Sequence, residues 1–188
     1  MNLPNKLTLA RIAMIPIMVV VLQLGMAADF GPSLQTARYI AAAIFILAAA
    51  TDWLDGYLAR KMGLITDFGK FMDPLADKIL VMAAMVYMVV LGDISPWILI
   101  LIESREFIIA GVRMVAAKKN IVIAAGIWGK IKTVAQMIMI PTVLFNLPHS
   151  AFDIISQILI YAAVVLTIIS AIDYIWHNRA LFEKELAS

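Results

Sequence analysis

Five aspartates lie within one short stretch of a chain that is otherwise strongly apolar. Four of them form two pairs: Asp52 and Asp55 are three residues apart, and Asp73 and Asp77 are four residues apart. Residues with these spacings lie on one face of a helix. Two antiparallel helices joined by a short turn would therefore bring four carboxylates face to face.

The cost of these carboxylates in a membrane indicates a ligand. One isolated carboxylate at the bilayer centre costs about 2.5–3.5 kcal/mol, so four cost roughly 10–14 kcal/mol before their repulsion is counted. Arg60, Lys70 and Lys78 could each neutralise one acid, but long basic side chains tend to extend toward the membrane surface. Carboxylates without cysteine or clustered histidine favour hard cations such as Mg²⁺ or Mn²⁺. Two such ions bridging a phosphate would suit phosphoryl transfer.

An alternative is that the aspartates are solvated helix ends, each paired with a nearby base. That interpretation explains one aspartate more easily than four at helical spacing. Gly56 and Ala59 lie on the acid-bearing face, where small residues let a bulky ligand approach the backbone. Asp67 follows Thr66 at the predicted start of a helix, so we interpret it as a capping or first-turn acid outside the site.

The composition predicts an all-α integral membrane protein. The 188 residues are 63% hydrophobic and 15% charged, with a mean hydropathy of +0.94, whereas soluble domains are about 45–50% apolar. One helical span needs roughly 20 apolar residues, so the chain supplies six transmembrane helices and leaves no room for a separate soluble domain. We expect a single integral membrane catalytic domain over residues 1–188, with helices at 6–24, 34–62, 66–91, 95–118, 122–147 and 151–177.

The basic residues predict the orientation. Most of them flank one set of helix ends, while the opposite loops carry Asp29, Asp93 and Asp153. Because Lys and Arg are enriched on the cytoplasmic side, both termini and the connections at 62–66 and 118–121 are expected there. The chain contains no cysteine, which excludes disulfides and thiolate metal sites.

The aspartate stretch also resembles a known family. The run Asp52-Trp-Leu-Asp55-Gly56-Tyr-Leu-Ala59-Arg60, followed by Gly69, Asp73 and Asp77, is similar to the signature of the CDP-alcohol phosphatidyltransferases. The resemblance implies a six-helix transmembrane bundle and a homodimer. It also implies a reaction at the cytoplasmic membrane surface, in which an alcohol displaces CMP from a CDP-linked lipid.

The resemblance further implies a role for each residue of the signature. Besides binding metal, Asp77 would act as the base that accepts the proton of the attacking hydroxyl. This role suits a carboxylate at the edge of a metal site. The resemblance implies two divalent ions, either Mg²⁺ or Mn²⁺. The implied ligands of these ions are Asp52, Asp55, Asp73 and Asp77. The residues implied to fit or contact the CDP moiety are Gly56, Ala59, Arg60 and Gly69.

The N-terminal segment narrows the acceptor. Pro4-Asn5-Lys-Leu-Thr8-Leu-Ala-Arg11 is similar to the branch of the family whose acceptor is sn-glycerol 3-phosphate. We expect Asn5 and Thr8 to reach the nucleotide or its phosphates. The alternative is that this segment only begins helix 1, with its bases as topology anchors.

Helices 4 and 5 carry bases that suit a phosphorylated acceptor. Charged residues inside an apolar span usually face a bundle interior or a cavity. Arg105 could instead form a structural pair with Glu103 or Glu106, and the helix 5 lysines could be an ordinary cytoplasmic flank. A cavity beside the aspartates that binds the acceptor phosphate would be formed by Arg105, Arg113, Lys130 and Lys132.

The resulting expectation is transfer of a phosphatidyl group from CDP-diacylglycerol to sn-glycerol 3-phosphate. We expect the protein to lie in a bacterial plasma membrane, in contact with membrane lipids and without a nucleic-acid partner. One alternative is a family member that uses inositol phosphate. A second is a divalent-cation transporter, although transporters usually bind ions near the midplane on broken helices. A structural scaffold would leave the acids unexplained.

Overall fold

The structure is a computed structural model that describes residues 3–27, 31–62, 67–118 and 126–179. The side chains of residues 3–6, 52–62, 67–71 and 118 lie outside this description. The described residues form α-helices and no strand, which confirms the predicted all-α fold. The six helices are α1 (Leu3–Met26), α2 (Leu34–Met62), α3 (Asp67–Val90), α4 (Pro96–Lys118), α5 (Ile127–Phe145) and α6 (Ser150–His177).

Three of the helices in the described part of the chain are long and apolar enough to cross a membrane, judged by length and composition. Their apolar segments are Leu7–Met26, Leu34–Thr51 and Ser150–His177. The 28 residues of α6 correspond to about 42 Å of helix, which exceeds a hydrocarbon core of about 30 Å. The spanning of α3, α4 and α5 stays a prediction.

Two helix starts differ from the sequence-based boundaries. α1 begins at Leu3, one turn before residue 6. Gly126 is not helical and α5 begins at Ile127, while the predicted start at residue 122 lies outside the described residues. α3 begins at Asp67, which puts this residue in the first turn that the sequence predicted for it.

Residue contacts divide the chain into two compact units. The first comprises Met1–Ile94 and Ile140–Asp153, and the second comprises Ser95–Met139 and Ile154–Ser188. The prediction of one catalytic domain over residues 1–188 stays a prediction. In the first unit, α1 packs against α2 and α3, and the large side chains fully removed from solvent include Met18, Leu22, Phe45, Leu80, Met85 and Met88.

The end of α3 is closed by a glycine turn. Gly92 has a φ of 79°, a left-handed conformation that costs glycine little because it lacks a Cβ. The N–H of Gly92 donates to Val89 O at 3.0 Å, and the N–H of Asp93 donates to Met88 O at 2.8 Å. This pair of bonds is the Schellman arrangement of helix C-termini. It directs the chain away from the helix at Asp93.

Asp93 pairs with a buried arginine of α2. Arg38 is 4% exposed, and its Nη2 donates to Asp93 Oδ2 at 2.7 Å. The same guanidinium donates to Val143 O at 3.0 Å and Leu144 O at 3.2 Å. These are carbonyls of the last turn of α5, which lack partners within their own helix. Burial raises the pKa of the Asp93 carboxyl, although the hydrogen bond and charge of Arg38 act in the opposite direction.

Candidate active site

Two of the four predicted metal ligands, Asp73 and Asp77, lie one turn apart on α3, and both side chains are half-buried. Thr8, on α1, is 1% exposed. Its hydroxyl donates a hydrogen bond to Asp73 Oδ1, with the two oxygens 2.6 Å apart. The structure therefore brings a residue predicted to contact the nucleotide against a predicted metal ligand.

The remaining predicted ligands belong to segments whose side chains are outside the described ones. Among the described side chains, no group of three or more acidic, histidine or cysteine residues is placed to hold a metal ion. The donor chemistry of Asp73 and Asp77 fits Mg²⁺ or Mn²⁺, since both supply carboxylate oxygens. The metal and nucleotide roles stay predictions for Asp52, Asp55, Gly56, Ala59 and Arg60 on α2, for Gly69 on α3 and for Asn5 on α1.

Three of the four predicted acceptor-binding bases line one cavity in the second unit. Arg105 and Arg113 of α4 and Lys130 of α5 surround a volume of about 140 Å³. Arg105 and Arg113 are spaced by two helical turns, which puts them along one face of α4. The cavity thus has cationic groups from two helices.

The fourth base, Lys132, is in a different environment. It is 2% exposed, and its Nζ donates to Oε1 of Glu106 at 2.6 Å. The same oxygen accepts a hydrogen bond from Nη1 of Arg105, also at 2.6 Å. Glu106 itself lines the cavity. Arg105 therefore pairs with Glu106, as the alternative of a structural ion pair predicted, and it also forms part of the cavity wall.

Residues of α6 that the sequence analysis did not assign to the site complete the cavity. Ser170 accepts a hydrogen bond from Nη2 of Arg105. The ring of Tyr174 lies 5.7 Å from Cζ of Arg113, within the range of a cation–π interaction. Ser170 and Tyr174 are four residues apart, so their shared face on an apolar helix was a signal that could have found them.

Asp173 also lines the cavity. Its Oδ1 lies 3.2 Å from Nδ1 of His177, one turn later on α6. A Cβ added to Gly126 would lie 2.9 Å from Asp173 Oδ2, closer than such atoms approach without movement. Gly126 therefore allows the chain just before α5 to pass close to this carboxylate.

The comparisons with known proteins agree with these features. The model of the family described as CDP-alcohol phosphatidyltransferase matches residues 1–169. The chain is 44% identical to the CDP-diacylglycerol–glycerol-3-phosphate 3-phosphatidyltransferase of Bacillus subtilis, over 94% of this chain and 95% of the relative. It is 38% identical to a probable phosphatidylglycerophosphate synthase of Mycobacterium tuberculosis, over 93% of this chain and 80% of the relative.

A further relative is the CDP-diacylglycerol–glycerol-3-phosphate 3-phosphatidyltransferase of Rickettsia bellii. It is 35% identical, over 92% of this chain and 93% of the relative. Each of these relatives is aligned over most of its own length as well as over most of this chain. The resemblance seen in the aspartate stretch is confirmed, and the chain belongs to the CDP-alcohol phosphatidyltransferase family.

Proposed function

We propose that this protein transfers the phosphatidyl group of CDP-diacylglycerol to sn-glycerol 3-phosphate, giving phosphatidylglycerophosphate and CMP. The relatives from Bacillus subtilis and Rickettsia bellii are named for this activity. The structural observation that carries the proposal is the cavity lined by Arg105, Arg113 and Lys130. Charged donors of this kind suit a phosphate, whereas a neutral acceptor such as serine would not need three of them.

The cavity keeps an excess of positive charge although it contains acids. Glu106 lines the cavity, but Lys132 and Arg105 both donate to its Oε1 and offset its charge. These bonds also fix the guanidinium of Arg105, which Ser170 contacts from α6. Arg113 and Lys130 then supply the exposed cationic groups that would hold the phosphate of the acceptor.

In the proposed reaction, a free hydroxyl of the acceptor attacks the phosphorus atom that carries the diacylglycerol. A new P–O bond forms there, and the bond from this phosphorus to the oxygen of the CMP phosphate breaks. The carboxylate of Asp77 accepts the proton of the attacking hydroxyl. Two bound Mg²⁺ or Mn²⁺ ions, held by Asp52, Asp55, Asp73 and Asp77, would polarise the diphosphate and stabilise the charge on CMP.

An apolar cavity next to the basic cavity supports the proposal that the product is a lipid. An apolar cavity of about 480 Å³ lies between α4 and α6 and shares Arg105 and Tyr174 with the basic cavity. A phosphate bound by Arg113 and Lys130 would thus lie next to a surface suited to an acyl chain. Membrane lipids are accordingly the proposed surroundings of the reaction.

The protein is a membrane protein, and we place it in a bacterial cell membrane because the named relatives are bacterial. The proposed topology has both termini and the site on the cytoplasmic side, as the distribution of Lys and Arg predicts. A homodimer is proposed from family membership.

The test is a transferase assay with purified protein and labelled CDP-diacylglycerol. Glycerol 3-phosphate, inositol phosphate and serine are supplied separately, with Mg²⁺, with Mn²⁺ or with a chelator. We expect CMP and labelled phosphatidylglycerophosphate only with glycerol 3-phosphate and metal. Asp73→Asn should abolish turnover without lowering the melting temperature of the metal-free protein. Turnover with inositol phosphate alone would reassign the acceptor, and no turnover with any acceptor would refute the proposal.

A further inference from the structure

The hydrogen bond between Thr8 and Asp73 constrains what Thr8 does. An ionised carboxylate can only accept hydrogen bonds, so the hydroxyl of Thr8 is the donor. The separation of 2.6 Å lies in the range of about 2.5–2.7 Å for a hydroxyl that donates to a charged oxygen. A threonine hydroxyl has one proton, and this bond uses it.

This use of the proton argues against the nucleotide-binding role expected for Thr8. A hydroxyl that donates to Asp73 Oδ1 cannot at the same time donate to a phosphate oxygen. Thr8 is also 1% exposed, so its side chain offers almost no surface to a ligand. The bond instead holds one oxygen of Asp73 and leaves the lone pairs of the other oxygen available.

We propose that Thr8 is a positioning residue that orients the Asp73 carboxylate for divalent metal binding. This inference rests on the metal-dependent part of the proposed function. Carboxylates that bind metals are commonly fixed by hydrogen bonds from residues that do not touch the metal. Loss of such a partner typically weakens metal binding by about 10- to 100-fold. Thr8 is provided by α1, so the packing of α1 on α3 becomes part of the metal site.

The experiment compares Thr8→Val, which has nearly the same shape but no hydroxyl, with Thr8→Ser, which keeps the hydroxyl. Mn²⁺ affinity is measured by electron paramagnetic resonance on purified protein without nucleotide. We expect about 10- to 100-fold weaker binding for Thr8→Val and binding close to wild type for Thr8→Ser. The loss of turnover in Thr8→Val should be reduced by high Mn²⁺, while the Michaelis constant for CDP-diacylglycerol at saturating metal stays unchanged.

Thr167→Val is the matched control. Thr167 is also 1% exposed, but its hydroxyl donates to Ala163 O of its own helix at 2.7 Å, so its loss should leave Mn²⁺ affinity unchanged. Melting curves of metal-free protein check the folding of each variant. Thr8→Ala, which also removes the hydroxyl, serves as the second variant if Thr8→Val does not fold.

Three results would overturn the inference. The first is wild-type Mn²⁺ affinity in Thr8→Val or Thr8→Ala; a raised Michaelis constant for CDP-diacylglycerol in the same variant would make Thr8 a nucleotide contact. The second is equal loss in Thr8→Ser, and the third is equal loss in Thr167→Val. Failure of the proposed function gives a different pattern: no acceptor would support turnover, although wild-type protein bound Mn²⁺ and Thr8→Val bound it weakly.

Discussion

Oε1 of Glu106 lies 2.6 Å from Nζ of Lys132, whose side chain is 3% exposed. Glu106 is 22% exposed and lines the basic cavity, whereas Lys130, only two residues from Lys132, lines that cavity directly. The two lysines of α5 therefore have different roles. In the proposed site Lys130 would contact the phosphate of the acceptor, while Lys132 neutralises the Glu106 carboxylate.

Removing Lys132 should destabilise the protein. Lys132→Met leaves Glu106 partly buried with only Arg105 as partner, and breaking a buried ion pair costs about 3–5 kcal/mol. We expect the lower end of this range, since Glu106 keeps some contact with solvent. The measurement is the unfolding free energy from denaturant titration in micelles. Adding Glu106→Gln to Lys132→Met should recover part of the loss, and a double variant less stable than Lys132→Met would contradict the pairing.

Removing Lys130 should weaken acceptor binding instead. Lys130→Ala is expected to raise the Michaelis constant for glycerol 3-phosphate about tenfold. This factor corresponds to the lower end of the free energy that a hydrogen bond to a charged group contributes, about 1.5 kcal/mol. Steady-state kinetics should show little change for CDP-diacylglycerol and no loss of stability. The control is Arg179→Ala, which removes a cation that lies over Trp176 rather than in the cavity. An unchanged constant for glycerol 3-phosphate in Lys130→Ala would remove this residue from the acceptor site.

The Arg38–Asp93 pair predicts a pH dependence of stability. Burial raises the pKa of Asp93 above its value in the unfolded chain, so its ionised form costs stability above the folded pKa. That cost is absent below the unfolded pKa. Arg38→Met removes the group that opposes the shift, and should therefore be most destabilised near neutral pH and recover on acidification. Melting curves of Arg38→Met at about pH 7 and about pH 5 measure this recovery, because a carboxyl group with a raised pKa takes up a proton on acidification in this range.

The same pair provides its own control. Arg38→Met also loses hydrogen bonds to Val143 and Leu144, which acid does not restore. Adding Asp93→Asn removes the titrating group, so the double variant should lose the recovery but keep the part of the destabilisation due to the α5 carbonyls. Recovery on acidification that persists with Asp93→Asn would assign the effect to another group.

The two histidines at the ends of α6 test the topology. His149 precedes the helix and is exposed, and His177 ends it with 71% of its side chain exposed. The chain has no cysteine, so His149→Cys and His177→Cys each create a single reactive thiol. A membrane-impermeant maleimide should label only His149→Cys in intact cells and both variants after permeabilisation. Labelling of His177→Cys in intact cells would reverse the proposed orientation.

The helices were predictable because continuous apolar runs separated by glycine, proline and asparagine leave few alternatives in a membrane. The turn at Gly92 is an example, since it combines a helix-ending residue with a required left-handed φ. The different environments of Lys130 and Lys132 were also predictable, because residues two apart on a helix lie on different faces.

Other parts of the site depend on packing that the sequence does not reveal. Glu106 could have paired with any base within reach, and only the placement of α5 against α4 selects Lys132. The spacing of Ser170 and Tyr174 puts them on one face of α6, but their contacts with Arg105 and Arg113 become visible only in the packed structure. The hydrogen bond from Thr8 to Asp73 joins residues on α1 and α3 that are far apart in the chain.

The most direct test of the central claim, an acceptor held by its phosphate, compares glycerol 3-phosphate with glycerol. CMP release from CDP-diacylglycerol is measured with each acceptor under the same metal and lipid conditions. Hydrogen bonds to charged groups contribute about 1.5–3 kcal/mol each, so kcat/KM should fall roughly 10- to 100-fold for each phosphate hydrogen bond that glycerol cannot form. Equal kcat/KM values for the two acceptors would contradict a phosphate-binding role for Arg105, Arg113 and Lys130.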